Sequence, residues 1–382
     1  MIYLDNSATT RTLDIAAETA RRYMSDSFFN SGAAYSPAVG CEKDINAARV
    51  RLASAMGASS SDEIIFTSGG TESNNMAFYG SLLPMREKGR IIVSAVEHPS
   101  VYEVAREMQK VMNTGLSIAK VDSSGKVDLN YLESILDNDV TFVSIMQVNN
   151  ETGAVNDIVA VRKLMKLKAP RALLHVDGVQ GFLKVPFDVK NCDLYSISGH
   201  KFHGPKGVGA LYVRKGIKFA GGQTGGGQER NLRSGTLNTP GIMGMDSAVS
   251  FYVASRESLW QNMNECKLQL KKRLGKIQNV FVNSPDTNES APQLLNVSFI
   301  GVRGEVLLHA LEERRIYVST GSACSAKKQG KSRVLMEMGL PQNRQESAIR
   351  FSFSPFNTLD EINKTADVLE EIIPMLRRFK RR

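Results

Sequence analysis

Cysteine is scarce in this chain, and none of its four copies, Cys41, Cys192, Cys266 and Cys324, lies near another. No C-x-x-C pair exists, which argues against a zinc site and against a disulfide scaffold. The thiols are expected to be free in a reducing compartment, and no metal is expected. Long apolar runs are missing too: no uncharged stretch approaches the roughly 18 residues of a membrane span. The opening residues, Met1-Ile-Tyr-Leu-Asp-Asn6, place an acid at position 5 and carry neither a basic region nor a long apolar run, so no secretory leader is expected. There are no internal repeats. These absences point to a cytoplasmic protein with no membrane partner.

What is present is ordinary in bulk. The 382 residues, 42% of them hydrophobic, allow two or three domains and a sizeable core. The formal charge is +9, and part of it sits in Arg377-Arg378-Phe379-Lys380-Arg381-Arg382. That run reads as cations complementing the dipole of a terminal helix. Alternatively it is a patch for an acidic protein or RNA. Direct nucleic-acid binding is not expected.

Short apolar runs alternate with helical patterns. Strands are predicted at 64–67, 91–95, 117–121, 141–148 and 172–176, with helices at 73–88, 100–113, 129–136 and 158–168 between them. This rhythm implies βαβ units and a mostly parallel sheet covered on both faces. Ser100 and Glu103 have the spacing of a capping box, as do Thr358 and Glu361. Two closely spaced strands follow at 194–198 and 210–213. A helical region over about 245–277, continuous or broken, precedes a differently patterned C-terminal third. The expected division is an N-terminal segment, 1–15, packing with a small domain; a large cofactor-binding domain, 16–255; and a small C-terminal domain, 256–382.

In an open parallel sheet, ligands bind beyond the carboxyl ends of the strands. Asp177 ends one such strand. The next strand end runs into Ser198-Gly-His-Lys-Phe-His-Gly-Pro-Lys-Gly207, with two histidines and two lysines bracketed by glycines. A carboxylate and a lysine at neighbouring strand ends suit pyridoxal phosphate: the lysine binds the aldehyde, and the acid keeps the pyridinium nitrogen protonated. Periodicity leaves Lys201 and Lys206 both open. The small residues of Thr67-Ser-Gly-Gly-Thr-Glu-Ser73, between a strand and a helix, would let backbone N–H groups approach a phosphate. His98 follows another strand and could stack on a ring and shuttle protons.

These residues resemble the cysteine desulfurases, within the class V branch of pyridoxal-phosphate enzymes. The resemblance runs nearly end to end, through Tyr3-Leu-Asp-Asn-Ser-Ala-Thr-Thr10, Gly70-Thr-Glu-Ser-Asn-Asn75, Glu97-His-Pro99, Val148-Asn-Asn-Glu-Thr-Gly153, His175-Val-Asp-Gly-Val-Gln180, Ser198-Gly-His-Lys201, Arg233-Ser-Gly-Thr236, Gly321-Ser-Ala-Cys324 and Ile349-Arg-Phe-Ser352. It implies an α/β fold of pyridoxal-phosphate fold type I: a large, doubly wound, mostly parallel sheet domain plus a smaller α/β domain. It makes Lys201 the Schiff-base lysine, with Asp177 on the pyridine nitrogen and Gln180 on the ring hydroxyl. Asn149 lies near cofactor and substrate, and His98 stacks on the ring and takes part in proton transfer as a catalytic residue. Gly70, Thr71, Ser198 and His200 match the phosphate site. Thr236 matches a residue supplied to that site by the other subunit of a homodimer. Arg350 matches the clamp for the substrate carboxylate, a role that bidentate guanidinium geometry suits.

Cys324 sits in Gly321-Ser-Ala-Cys-Ser-Ala-Lys-Lys-Gln-Gly330, a stretch of small residues flanked by Lys327, Lys328 and Lys331. Positive surroundings favour a thiolate. In the reaction that the resemblance implies, Lys201 moves the Cα proton of L-cysteine and Cys324 attacks its sulfur. The products are L-alanine and a persulfide on Cys324, which passes to a sulfur-acceptor protein such as an iron–sulfur scaffold or a tRNA-thiolation enzyme. One departure stands out. Where the family commonly has Asn-Pro-Ser-Ser, this chain has Phe28-Phe-Asn-Ser-Gly-Ala-Ala-Tyr35.

Overall fold

The computed structural model describes residues 1–85, 89–286, 289–321 and 332–378. Twelve strands occur among them: β1 Ile2–Tyr3, β2 Ile64–Thr67, β3 Arg90–Ser94, β4 Gly115–Ala119, β5 Val140–Met146, β6 Leu173–Asp177, β7 Leu194–Ser198, β8 Gly209–Val213, β9 Val280–Val282, β10 Leu294–Phe299, β11 Ile316–Tyr317 and β12 Ala348–Ser352. Seven form one sheet in the order β2-β8-β7-β6-β5-β3-β4. The run from β7 to β4 is parallel, and β8 lies antiparallel to both of its neighbours.

The apolar runs are continuous rather than alternating because both faces of this sheet are covered. Successive residues point to opposite faces. Ile92, Val143 and Leu174 therefore join one core, while Ile91, Val93 and Phe142 join the other.

A second, antiparallel sheet has the order β12-β10-β9. Its core takes Leu270 and Leu274 from the Arg256–Leu274 helix, Leu307 and Leu311 from Gly304–Glu313, and Leu369 and Ile373 from Leu359–Arg378. The N-terminal chain joins this part: β1 pairs with β11, and Leu4 is fully buried in the same core. It then turns back, and Thr10 N donates to the His200 carbonyl beside β7. Residues 5–10 therefore bridge the two sheets.

Local differences from expectation have local causes. The Ser100–Glu103 capping box does not form. The Pro99–Met112 helix is capped instead by His98, whose side chain accepts from Ser100 N. Proline is favoured in the first turn, where its missing N–H costs nothing, and this moves the cap back to His98. Thr358 and Glu361 do form the reciprocal pair, each side chain meeting the other's backbone N–H at 3.2 Å. The predicted 245–277 helix starts earlier and is two helices, Thr239–Ala254 and Arg256–Leu274, separated at Ser255. No described helix is long and apolar enough to cross a membrane.

Arg377 does not project as a free charge. Its Nε and Nη2 donate to the carbonyls of Ile300 and Asn279. Residues 379–382 lie outside the described residues.

Candidate active site

The carboxyl ends of the parallel strands open onto a cavity of about 240 Å³. Asp177 closes β6, Ser198 closes β7, and the short turn after it presents His200 and Lys201. Gly70 and Thr71 come from the helix after β2, His98 from the end of β3, and Arg350 from β12 of the second sheet. All of these line the cavity, as does Gln180. Lys206 is exposed and does not line it.

Asp177 is buried and well supported. Its Oδ2 accepts from Asn74 Nδ2 at 2.9 Å and its Oδ1 from Val179 N at 3.0 Å. Lys201 Nζ donates to the Ser7 and Ala8 carbonyls at 2.5 and 2.9 Å. Beside it, His200 Nδ1 meets Thr9 Oγ1 at 3.1 Å. Burial lowers the His200 pKa to about 4, helped by Lys201, Lys206 and Lys184. At neutral pH this imidazole is uncharged.

The helix Gly70–Leu82 begins at the cavity wall with no side chain capping it. Its first N–H groups are thus available to an anion, and the helix dipole favours one there. Backbone approach is close: a Cβ on Gly70 would lie 2.7 Å from Val179 Cγ2, and Gly69 has φ +148. Glu72 ties this turn to the glycine-rich segment after β8, accepting from Ser68 N at 2.7 Å and from Arg233 Nε at 2.8 Å. That segment is anchored in turn by Glu229, which holds Arg49 through two bonds of 2.6 and 2.7 Å and also accepts from Phe66 N.

Arg350 is almost fully buried. Its Nη1 donates to Asn150 O at 2.9 Å and its Nη2 pairs with Asp5 at 2.7 Å. Four buried polar atoms on cavity-lining residues have no hydrogen-bond partner among the described residues: Ser7 Oγ, Asn74 Oδ1, Gln180 Oε1 and Arg350 Nε. Unsatisfied buried polar groups are costly unless a ligand satisfies them. A carboxylate ion, a lysine amine, an uncapped helix start and these orphaned atoms together fit a phosphorylated pyridine aldehyde and an amino-acid carboxylate.

Two expected residues, Asn149 and Thr236, are not at the cavity wall. Asn149 is buried, but its amide is used in the turn that follows: Oδ1 accepts from Glu151 N, Thr152 N and Thr152 Oγ1, and Nδ2 donates to Val96 O. Thr236 is exposed on the surface and does not line this chain's cavity. Cys324 lies outside the described residues. The segment 28–35 is partly exposed, with the Phe28 and Phe29 rings stacked at 4.7 Å.

Sequence reasoning missed Asp5, Asn74, Glu97 and Ser100. Asn74 was within reach, since it lies one helical turn beyond Gly70 and so on the same helix face. Glu97 is fully buried beneath the site. Its Oε1 accepts from Ser94 Oγ at 2.6 Å and Met146 N at 2.7 Å, while Oε2 has no partner among the described residues. Burial raises its pKa to about 8, with Asp177 adding to the rise. Burial also lowers the His98 pKa, against the opposing pull of Asp177.

Residues 2–365 match the family model for Aminotransferase class-V. The chain is 37% identical over 379 residues to a cysteine desulfurase of Sinorhizobium fredii, with 98% of this chain and 97% of that one covered. Among solved structures, a NifS-like protein aligns at a TM-score of 0.92 and 34% identity, covering 98% of this chain and 100% of that chain. A structure of SspA in complex with cysteine aligns at a TM-score of 0.80 and 30% identity, covering 94% and 100%.

Proposed function

The chain belongs to the Aminotransferase class-V family, among its cysteine desulfurases, and from that premise we propose that its cavity holds pyridoxal 5'-phosphate and converts L-cysteine to L-alanine, leaving the sulfur as a persulfide on Cys324. The observation that carries this reading is one cavity joining Asp177, Lys201 and the uncapped Gly70–Leu82 helix start. When bound, the cofactor supplies an electron sink for charge developing at the substrate Cα.

The chain's own residues supply the rest. Gly70, Thr71, Ser198 and His200 hold the phosphate, and Asp177 keeps the ring nitrogen protonated. Gln180 Oε1, without a partner among the described residues, would accept from the ring hydroxyl. Lys201 would be the attachment amine for the cofactor and the base that moves the substrate Cα proton. Arg350 binds the substrate carboxylate, with its Nε free of partners among the described residues. His98 lines the same cavity and would face the cofactor ring. Cys324 takes the sulfur and passes it to an acceptor protein, such as an iron–sulfur scaffold or a tRNA-thiolation enzyme. Asn149 acts one step back, by fixing the turn that carries Asn150 to Arg350. The protein works as a homodimer, in which the exposed Thr236 completes the phosphate site of a second copy.

Peptide mass spectrometry after L-cysteine is added without reductant tests this. One extra sulfur is expected on Cys324 and none on Cys41, Cys192 or Cys266, which are all buried. Burial raises the pKa of the Cys192 thiol, and that of Cys266 to about 11. An absence of added sulfur on every cysteine overturns the reading.

A further inference from the structure

His98 is joined to Asp177 by a continuous hydrogen-bonded chain that the resemblance does not mention. Asn74 Nδ2 donates to Asp177 Oδ2 at 2.9 Å and also to Ser100 Oγ at 2.9 Å. Ser100 Oγ lies 2.8 Å from His98 Nδ1, and Ser100 N donates to the same nitrogen at 3.2 Å.

The donor directions follow from chemistry. An ionised Asp177 only accepts, so the Asn74 amide must turn its NH₂ towards it. Both hydrogens of that NH₂ are then used, one on Asp177 and one on Ser100. Ser100 Oγ accepts from Asn74, which leaves its single hydrogen for His98 Nδ1. The backbone N–H of Ser100 can only donate. Nδ1 therefore faces two donors and must present its lone pair, so the neutral ring carries its hydrogen on Nε2. Nε2 has no hydrogen-bond partner among the described residues, and His98 lines the cavity.

We propose that Asn74 and Ser100 are a positioning pair that holds His98 as the Nε2–H tautomer, so that His98 meets the bound cofactor and substrate as a hydrogen-bond donor and not as a proton acceptor. This rests on the reading of the cavity given above, and it leaves abstraction of the Cα proton to Lys201 alone. Protonating His98 would place a hydrogen on Nδ1 against two donors. Burial opposes the imidazolium further, as do the nearby charges of Lys201 and Arg333, while Asp177 favours it. Arg333 is held next to His98 through the Glu97 carbonyl and stacks on Tyr102 at 3.9 Å.

Ring-nitrogen NMR of the full-length, cofactor-loaded protein tests the proposal, with the His98 signal assigned by its loss in His98→Gln. Wild type should show an unprotonated Nδ1 and an N–H at Nε2 throughout pH 6 to 8. Ser100→Ala removes one donor and should raise the population with hydrogen on Nδ1 about fivefold, the worth of one net hydrogen bond. Ser100→Thr should restore the wild-type signature. Asn74→Ala, which frees the Ser100 hydroxyl to turn away, should act in the same direction as Ser100→Ala. A wild-type ring protonated at Nδ1 at pH 7 overturns the proposal, and so does a Ser100→Ala spectrum identical to wild type. The signature does not depend on sulfur transfer. A correct tautomer without a Cys324 persulfide would sink the assigned reaction alone, and a persulfide with the wrong tautomer would sink this proposal alone.

Discussion

Replacing Glu97 by glutamine should make the protein more stable in alkali and leave it unchanged in acid. The carboxyl is fully buried, and its pKa rises from 4.5 to about 8 because burial penalises the charge and Asp177 adds repulsion. A raised carboxyl pKa means that the folded state holds the proton more tightly than the unfolded chain. Stability from this group is therefore fully present below pH 4.5 and is lost as pH rises to 8. Each pH unit in that interval costs about 1.4 kcal/mol, so the whole interval costs on the order of 5 kcal/mol. Glutamine has the same shape and no charge. Its amide oxygen can accept from Ser94 Oγ and Met146 N as Glu97 Oε1 does, and its NH₂ occupies the place of an oxygen that already lacks a partner. Denaturant midpoints of the two proteins, measured from pH 5 to 9, should coincide within about 1 kcal/mol at pH 5. They should then diverge by several kcal/mol in favour of the variant. A difference that does not change with pH, or a variant weaker at pH 9, refutes the reasoning.

Glu229→Ala should cost about 3–5 kcal/mol in denaturant unfolding, because it strands the buried Arg49 guanidinium and the Phe66 N–H; a cost under about 1 kcal/mol would show that water reaches the site. Gly70→Ala puts a methyl 2.7 Å from Val179 Cγ2, and fluorescence titration should find cofactor affinity about tenfold weaker with the unfolding midpoint nearly unchanged. Asp5→Asn removes the ionic partner of Arg350. It should lower stability while lowering KM for L-cysteine about fivefold, as the less neutralised guanidinium gains from a substrate carboxylate; an unchanged KM would count against Arg350 as the clamp.

The two sheets differ in how far the sequence revealed them. The strands of the large sheet are legible as short apolar runs, because burial on both faces leaves no alternation to misread. Their carboxyl ends are legible as well, which is why Asp177 and the turn holding both Lys201 and Lys206 could be picked out before any contact was known, while the choice of Lys201 came from the family resemblance. The Thr358–Glu361 cap was readable from four residues because all of its atoms belong to one turn. The Ser100–Glu103 pair had the same spacing and failed, since Pro99 moved the cap to His98 and freed Ser100 to bond Nδ1 instead.

By itself the sequence determined the chemistry available: a carboxylate and a lysine at adjacent strand ends, a small-residue turn after a strand, and one cysteine among lysines. Only the tertiary structure decided which groups meet. Lys201 is met by the carbonyls of Ser7 and Ala8, over 190 residues away in the chain, and a carbonyl oxygen carries no residue-type signal. Arg350 reaches the cavity from a different sheet and is matched there by Asp5. Asn74 reads as an ordinary helix residue until the fold sets it 2.9 Å from both Asp177 and Ser100. Periodicity reports the face on which a side chain lies, whereas hydrogen bonds join particular atoms, and those atoms come together only when the segments between them have packed.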